Sequence, residues 1–121
     1  MTATPRNTED LVRSYYSTVD AGDPEATAAL FATDATYHRP GYDPLVGPAI
    51  AEFYRTERVI ESGEHTITEV LVDGLRASSR GVFNGVLKDG RAAEEGFADF
   101  WEFNEDGTIA NRTSYFYRAA V

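Results

Sequence analysis

Between Thr8 and Val19 the apolar residues Leu11, Val12, Tyr15, Tyr16 and Val19 recur every three to four positions, the spacing of one helix face. Asn7 or Thr8 can cap this helix, Glu9 and Asp10 suit its first turn, and Ala21-Gly22 stops it. Asp23-Pro24 then reads as an N-cap followed by proline at the first helical position, which opens a short second helix through Leu30 and Phe31. Residues 35–39 are β-formers, and the prolines and glycine that follow turn the chain into a loop. Gly47-Pro48 opens a third helix with Ile50, Phe53, Tyr54 and Val59 or Ile60 on its apolar face, closed by Ser62-Gly63.

Beyond that point the chain reads as strand and turn. Asp-Gly occurs at 73–74, 89–90 and 106–107. The pair marks hairpins, because both central positions of a type I′ turn need φ > 0. Four antiparallel strands are predicted at 65–72, 75–88, 91–103 and 108–118. Helices first and a long meander after them give an α+β fold: three N-terminal helices packed on a strongly curved, mostly antiparallel sheet. Strands this long must coil or bulge, and a sheet curled over helices makes a cone with an open mouth. Such mouths take ligands.

Composition narrows the function. The 121 residues are 42% apolar, which suits one globular domain, residues 1–121, with residues 1–7 as a flexible N-terminus. There is no cysteine, so disulfide scaffolds, thiolate catalysis and iron–sulfur clusters are excluded. A net charge of −9 repels phosphate backbones and anionic membrane surfaces, so neither nucleic acid nor membrane is expected as a partner. The start of the chain lacks the apolar core of a signal peptide and no stretch is long enough to span a bilayer, which points to the cytoplasm.

In the strand 91–103 the odd positions share one face, on which Glu95 and Asp99 sit among Phe97, Trp101 and Phe103. A carboxylate that points into an apolar interior must be protonated, paired or hydrogen-bonded, and each outcome is chemically useful. Arg112 on the last strand can pair with either carboxylate, or be a solvated edge charge. Asn84 offers a further neutral polar group. His38 suits acid–base work near neutrality, but alternation allows only one of His38 and Arg39 to face the interior. His65, at a strand start, is expected to be exposed, Tyr16 to be packing, and Tyr42 and Asp43 to form a turn at the mouth or to gate or contact a ligand there. No histidines and carboxylates fall at a metal-ligand spacing, so no metal or other cofactor is expected. On the outer sheet face, Phe83, Phe100, Tyr115 and Tyr117 make an apolar surface that implies a partner.

The order of elements, with YYSTVDAGDPEATAALFATDATY near the start and ADFWEFNEDGTI near the end, resembles the nuclear transport factor 2-like superfamily. Within it, the chain is similar to ketosteroid isomerase and the SnoaL-like polyketide cyclases over residues 8–118. The resemblance implies that Tyr15 stands where the isomerases keep an oxyanion-hole tyrosine, with Tyr54 supporting it. It places Asp99 where they keep a protonated aspartic acid that donates a second hydrogen bond, a carboxyl held neutral by its apolar site. It also makes Arg112, Ser114 and Phe116 cavity-lining, beside the walls Phe97 and Trp101. The position of the isomerases' catalytic aspartate is Arg39 here, with His38 beside it. The resemblance further implies a homodimer joined through the sheet. It points to a cofactor-independent enzyme that acts by acid–base chemistry on a small hydrophobic, oxygenated substrate such as a polyketide, enone or steroid-like compound. Epoxide opening of the limonene-epoxide-hydrolase type, and a non-catalytic binding or assembly domain, are the alternatives.

Overall fold

The computed structural model describes residues 7–117. The order is α1 (Thr8–Asp20), α2 (Pro24–Ala28), β1 (Phe31–His38), β2 (Leu45–Val46), α3 (Pro48–Glu52), a π-helical turn (Phe53–Glu57), β3 (Ile60–Asp73), β4 (Arg76–Leu87), β5 (Ala92–Phe103) and β6 (Ile109–Tyr117). The six strands form one sheet in the order β2-β1-β6-β5-β4-β3, with β1 and β6 parallel and the other pairs antiparallel. This is the expected α+β architecture. The sheet is curved but not closed.

The helix caps follow the sequence. Asn7 accepts from the Asp10 amide at 2.8 Å and Asp23 from the Ala26 amide at 3.0 Å. Asn7 is therefore part of the first helix's cap and not of a loose terminus; residues 1–6, and Arg118 at the expected end of the last strand, lie outside the described residues. Helix boundaries differ in two places. Leu30 and Phe31 leave the second helix, and Phe31 starts β1 opposite Ile109. Val59 and Ile60 leave the third, and Ile60 pairs with Leu87. Both shifts hand large or β-branched side chains to the sheet, where ladder pairing and core contact outweigh helical spacing.

All three Asp-Gly pairs make hairpins, but not type I′ turns. No non-glycine residue among those described has positive φ, whereas Gly74, Gly90 and Gly107 have φ of 62°, 89° and 89°. Asp73 and Arg76 are paired, so the loop is Gly74-Leu75 with glycine first, the II′ arrangement. The Gly90 amide donates to Leu87 O at 2.9 Å and the Gly107 amide to Asn104 O at 3.0 Å, closing three-residue loops whose last residue is a left-handed glycine.

Register shifts in β3 between Ile60 and Ser62 and between Ile67 and Glu69 mark where the sheet bends. Gly81 lies against the second bend; a Cβ there would sit 2.0 Å from the Thr66 carbonyl oxygen. The concave face carries the core: Val12, Tyr15, Tyr16 and Val19 from α1 against Ala35, Tyr37, Phe83, Phe97, Trp101 and Ile109.

Candidate active site

Residues 15 and 16 are adjacent on α1, and both rings are buried at 2–3% exposure, so the helix presents two phenols to different parts of the concave sheet. Asp99, fully buried at the middle of β5, is paired in register with Ser79 on β4 and Ser114 on β6. Arg112 lies two residues before Ser114, on the same face of β6, opposite Tyr37 of β1. Strand alternation and register thus bring these side chains to one point.

The hydrogen-bond directions follow from counting protons. The Tyr16 hydroxyl donates to Asp99 Oδ2 and the Ser114 hydroxyl to Asp99 Oδ1. Because Tyr16 has only one proton, the Ser79 hydroxyl must donate to Tyr16 across their 2.7 Å contact, and Ser79 in turn accepts from the Trp101 indole at 2.9 Å. By the same reasoning the Tyr37 hydroxyl donates to Ser114 at 3.4 Å. Arg112 Nη2 completes the set at 3.0 Å from Asp99 Oδ2. Every chain ends on Asp99 as acceptor. That is the bonding pattern of a carboxylate paired with Arg112, where the resemblance implies a protonated, donating Asp99.

The second guanidinium nitrogen, Arg112 Nη1, donates to the Tyr15 hydroxyl at 2.9 Å, and the Tyr15 and Tyr54 hydroxyls are 2.5 Å apart. Burial pushes the Tyr15 phenol up to about 12, with the Arg112 charge opposing, and burial with the neighbouring Tyr15 raises Tyr54 well above its ordinary value. Burial and the Asp99 charge also raise Tyr16. All three phenols keep their protons at neutral pH. Arg112 stacks 4.4 Å from the Tyr15 ring centroid and 4.6 Å from that of Tyr37, and burial is outweighed by Asp99 and the phenols, so the cation persists. Its Nε is buried without a hydrogen-bond partner among the described residues.

The structure brings Tyr15, Tyr54, Asp99, Arg112, Phe97 and Trp101 together. His38 does not join them, since it alternates with the buried Tyr37 and so lies on the opposite sheet face. Arg39 turns inward and stacks between Phe53 at 4.2 Å and Tyr42 at 4.4 Å, with its Nε also buried and unpartnered among the described residues. Asn84 is exposed on the convex face, whereas Phe83, expected on that face, is buried in the core. Glu95 is half-buried opposite Phe83, and Phe116 is 45% exposed toward the end of β6. Tyr42 is exposed and Asp43 is in the same loop. Two residues outgrow their expected roles. Tyr16 bonds Asp99 directly, and His65 is not exposed but packed against Tyr16 and bonded to Asp20. The signal for Tyr16 was the doubled tyrosine, which puts two hydroxyls on adjacent helix faces. No three histidine, aspartate or glutamate side chains among the described residues converge to hold a metal ion.

The family model of the SnoaL-like domain matches residues 12–112, which includes every residue of this cluster except Ser114. The chain belongs to the SnoaL-like family. No curated protein matches it. Among solved structures, this SnoaL-like chain is similar to an NTF2-like protein of unknown function from Burkholderia pseudomallei, with TM-score 0.80 and 20% identity over 93% of this chain and 92% of that one. It is also similar to SalBIII, described as an epoxide hydrolase/cyclase-like enzyme in pyran ring formation in the polyether salinomycin, with TM-score 0.80 and 17% identity over 91% and 90%. A third is a protein of ketosteroid isomerase-like fold from Catenulispora acidiphila in complex with trimethylamine, with TM-score 0.78 and 23% identity over 98% and 91%. At these identities the likeness is one of fold. The SnoaL-like chain has no helix, among its described residues, long and apolar enough to cross a membrane.

Proposed function

We propose that this SnoaL-like protein is a cofactor-independent enzyme that uses acid–base chemistry on a small hydrophobic, oxygenated molecule. The observation that carries the reading is the buried Nε of Arg112, an N–H donor left unpaired beside an ion pair and two coupled phenols. A buried donor without a partner costs roughly 1–3 kcal/mol, so its retention fits a place kept for a ligand oxygen. Tyr15 adds a second donor: its oxygen can accept from both Arg112 and Tyr54, which frees its own proton for that ligand. Two preorganised donors in an apolar shell stabilise an enolate or a departing alkoxide, each by about 3–4 kcal/mol. In this reading Asp99 is a positioning residue that holds Arg112, and Phe97 and Trp101 wall the site.

The same donors suit the opening of an epoxide, whose oxygen needs a proton as its C–O bond breaks, and the Asp99–Arg112 pair favours that as the second reading. A panel of enones and epoxides, with turnover followed by mass spectrometry, separates the two. Tyr15→Phe should lower kcat at least tenfold on whichever class reacts while the fold is retained. Full turnover by that variant removes Tyr15 from the chemistry. Tight ligand capture with no turnover across the panel makes the protein a binding domain.

A further inference from the structure

His65 is held by one carboxylate at two points. Its ring Nδ1 lies 2.5 Å from Asp20 Oδ1, and its main-chain N–H donates to Asp20 Oδ2 at 2.8 Å. The grip ties the last residue of α1 to β3 and fixes the rotation of the ring. A carboxylate only accepts, so Nδ1 carries the proton and Nε2 carries the lone pair. Burial lowers the His65 pKa from its ordinary 6.5, outweighing the Asp20 hydrogen bond that raises it, and the nearby charges of Arg112 and Arg58 act in the same direction as burial. The ring sits among Phe83 at 4.8 Å, Tyr16 at 5.2 Å and Phe97 at 5.3 Å, from β4, α1 and β5 respectively.

This dyad lines an open groove of about 590 Å³ between α1 and β3, together with Arg13, Tyr16, Ser17, Glu64 and Ile67. A second groove of about 270 Å³, lined by Arg58 and Phe83, shares Asp20, Ala21 and Gly63 with it. The larger groove has the capacity for a small organic ligand. Ser17 is not a nucleophile activated by the dyad, because its hydroxyl donates back to Ser14 O at 3.1 Å.

We propose that His65, oriented by Asp20, is a general base that removes a proton from a small uncharged carbon acid seated in this groove, a compound with a C–H next to a carbonyl. The C–H bond breaks, the proton passes to Nε2, and the electron pair stays on the ligand as an enolate. Asp20 then faces an imidazolium, which its charge stabilises; the other charged groups of the groove are Arg13, itself paired with Glu9 at 2.9 Å, and Glu64, while Arg58 and Glu61 line the adjoining smaller groove. This deepens the acid–base reading above and rests on it for the class of reaction. It also supplies a base apart from the Asp99 carboxylate, which is held by Tyr16, Ser114 and Arg112.

The probe is 5-nitrobenzisoxazole, a carbon acid that opens to a coloured cyanophenolate when one C–H proton is removed and its N–O bond breaks. The full chain should open it faster than the same concentration of free imidazole, with a rate that rises with pH through an inflection below about 6.5. His65→Gln should lower the rate at least tenfold, with the fold checked by circular dichroism. Asp20→Asn should move the inflection lower, because a hydrogen bond that raises the His65 pKa is weakened; a merely structural Asp20 would leave the inflection in place. A wild-type rate no greater than imidazole, an undiminished His65→Gln, or an unmoved inflection in Asp20→Asn each overturns the proposal, and the last decides if His65→Gln does not fold. The two readings fail separately: panel turnover that survives His65→Gln counts against the base, whereas probe opening that needs His65 in a protein with no panel turnover leaves the base standing and removes the Asp99–Arg112 site.

Discussion

Arg112 Nη2 lies 3.0 Å from Asp99 Oδ2, in an ion pair whose side chains are 7% and 1% exposed. Taking both charges out of water is costly, and the pair persists because Tyr16 and Ser114 also donate to the carboxylate and Tyr15 accepts from the guanidinium. The cluster is thus a unit in which no member can be removed without leaving another unpaired.

Asp99→Asn is accordingly expected to cost about 3–5 kcal/mol in urea denaturation, since it strands the Arg112 charge in the core. Had Asp99 been a neutral donor, the amide would have replaced it well. A loss below about 1 kcal/mol would show that the carboxylate is not ionised in the folded state.

Stability should fall as the solution is acidified below about pH 6.5, and His65 should account for part of the loss. Its folded pKa is below its unfolded value, so its contribution is complete above the unfolded pKa and is lost as pH falls through the folded one. Urea midpoints between pH 8 and 5 should decline less steeply in His65→Gln. Glu25, Asp89 and Asp106 are lowered from 4.5, 3.8 and 3.8 by hydrogen bonds with Arg55, Arg91 and Thr108, so they act only in a more acidic window. An equal slope in both proteins would assign the loss elsewhere.

Gly81→Ala should destabilise the protein by about 3 kcal/mol, near the top of the overpacking range, because the added methyl meets the Thr66 carbonyl at 2.0 Å. Gly74→Ala, with φ of 62° and open space around it, should lose only about 1–2 kcal/mol from backbone strain. Thermal melts of the two variants check the order; a harmless Gly81→Ala would mean that the β3–β4 bend has room to spread.

Phe100, Tyr115 and Tyr117 are 51%, 56% and 87% exposed on the convex face, and the rings of Phe100 and Tyr115 meet edge to face at 5.7 Å. We expect two copies to pair over this surface. Light scattering at micromolar concentration should give twice the 13.3 kDa chain mass, and Phe100→Glu should return it to one. A wild-type mass of one chain would set the expectation aside.

Hairpins were legible in the chain while their turn types were not. Glycine marks where φ can be positive, but whether its neighbour must follow depends on the register of the two strands, and register is settled by which side chains reach the core. His38 and Arg39 show the same division. Alternation says that one of them faces inward, and only the packing of Phe53 and Tyr42 around the guanidinium says which.

The sequence by itself determined the α+β order, the helix caps, the hairpin positions and the burial of Asp99 and Trp101, because these depend on spacing within one element. Tertiary structure alone decided the rest. That Asp99 accepts from three donors, that Tyr16 is one of them, and that Asp20 grips His65 across 45 residues are relations between elements. Their geometry depends on how far the sheet bends and where α1 crosses it, and bulges and close glycine approaches set those quantities in three dimensions without leaving a periodic mark in the chain.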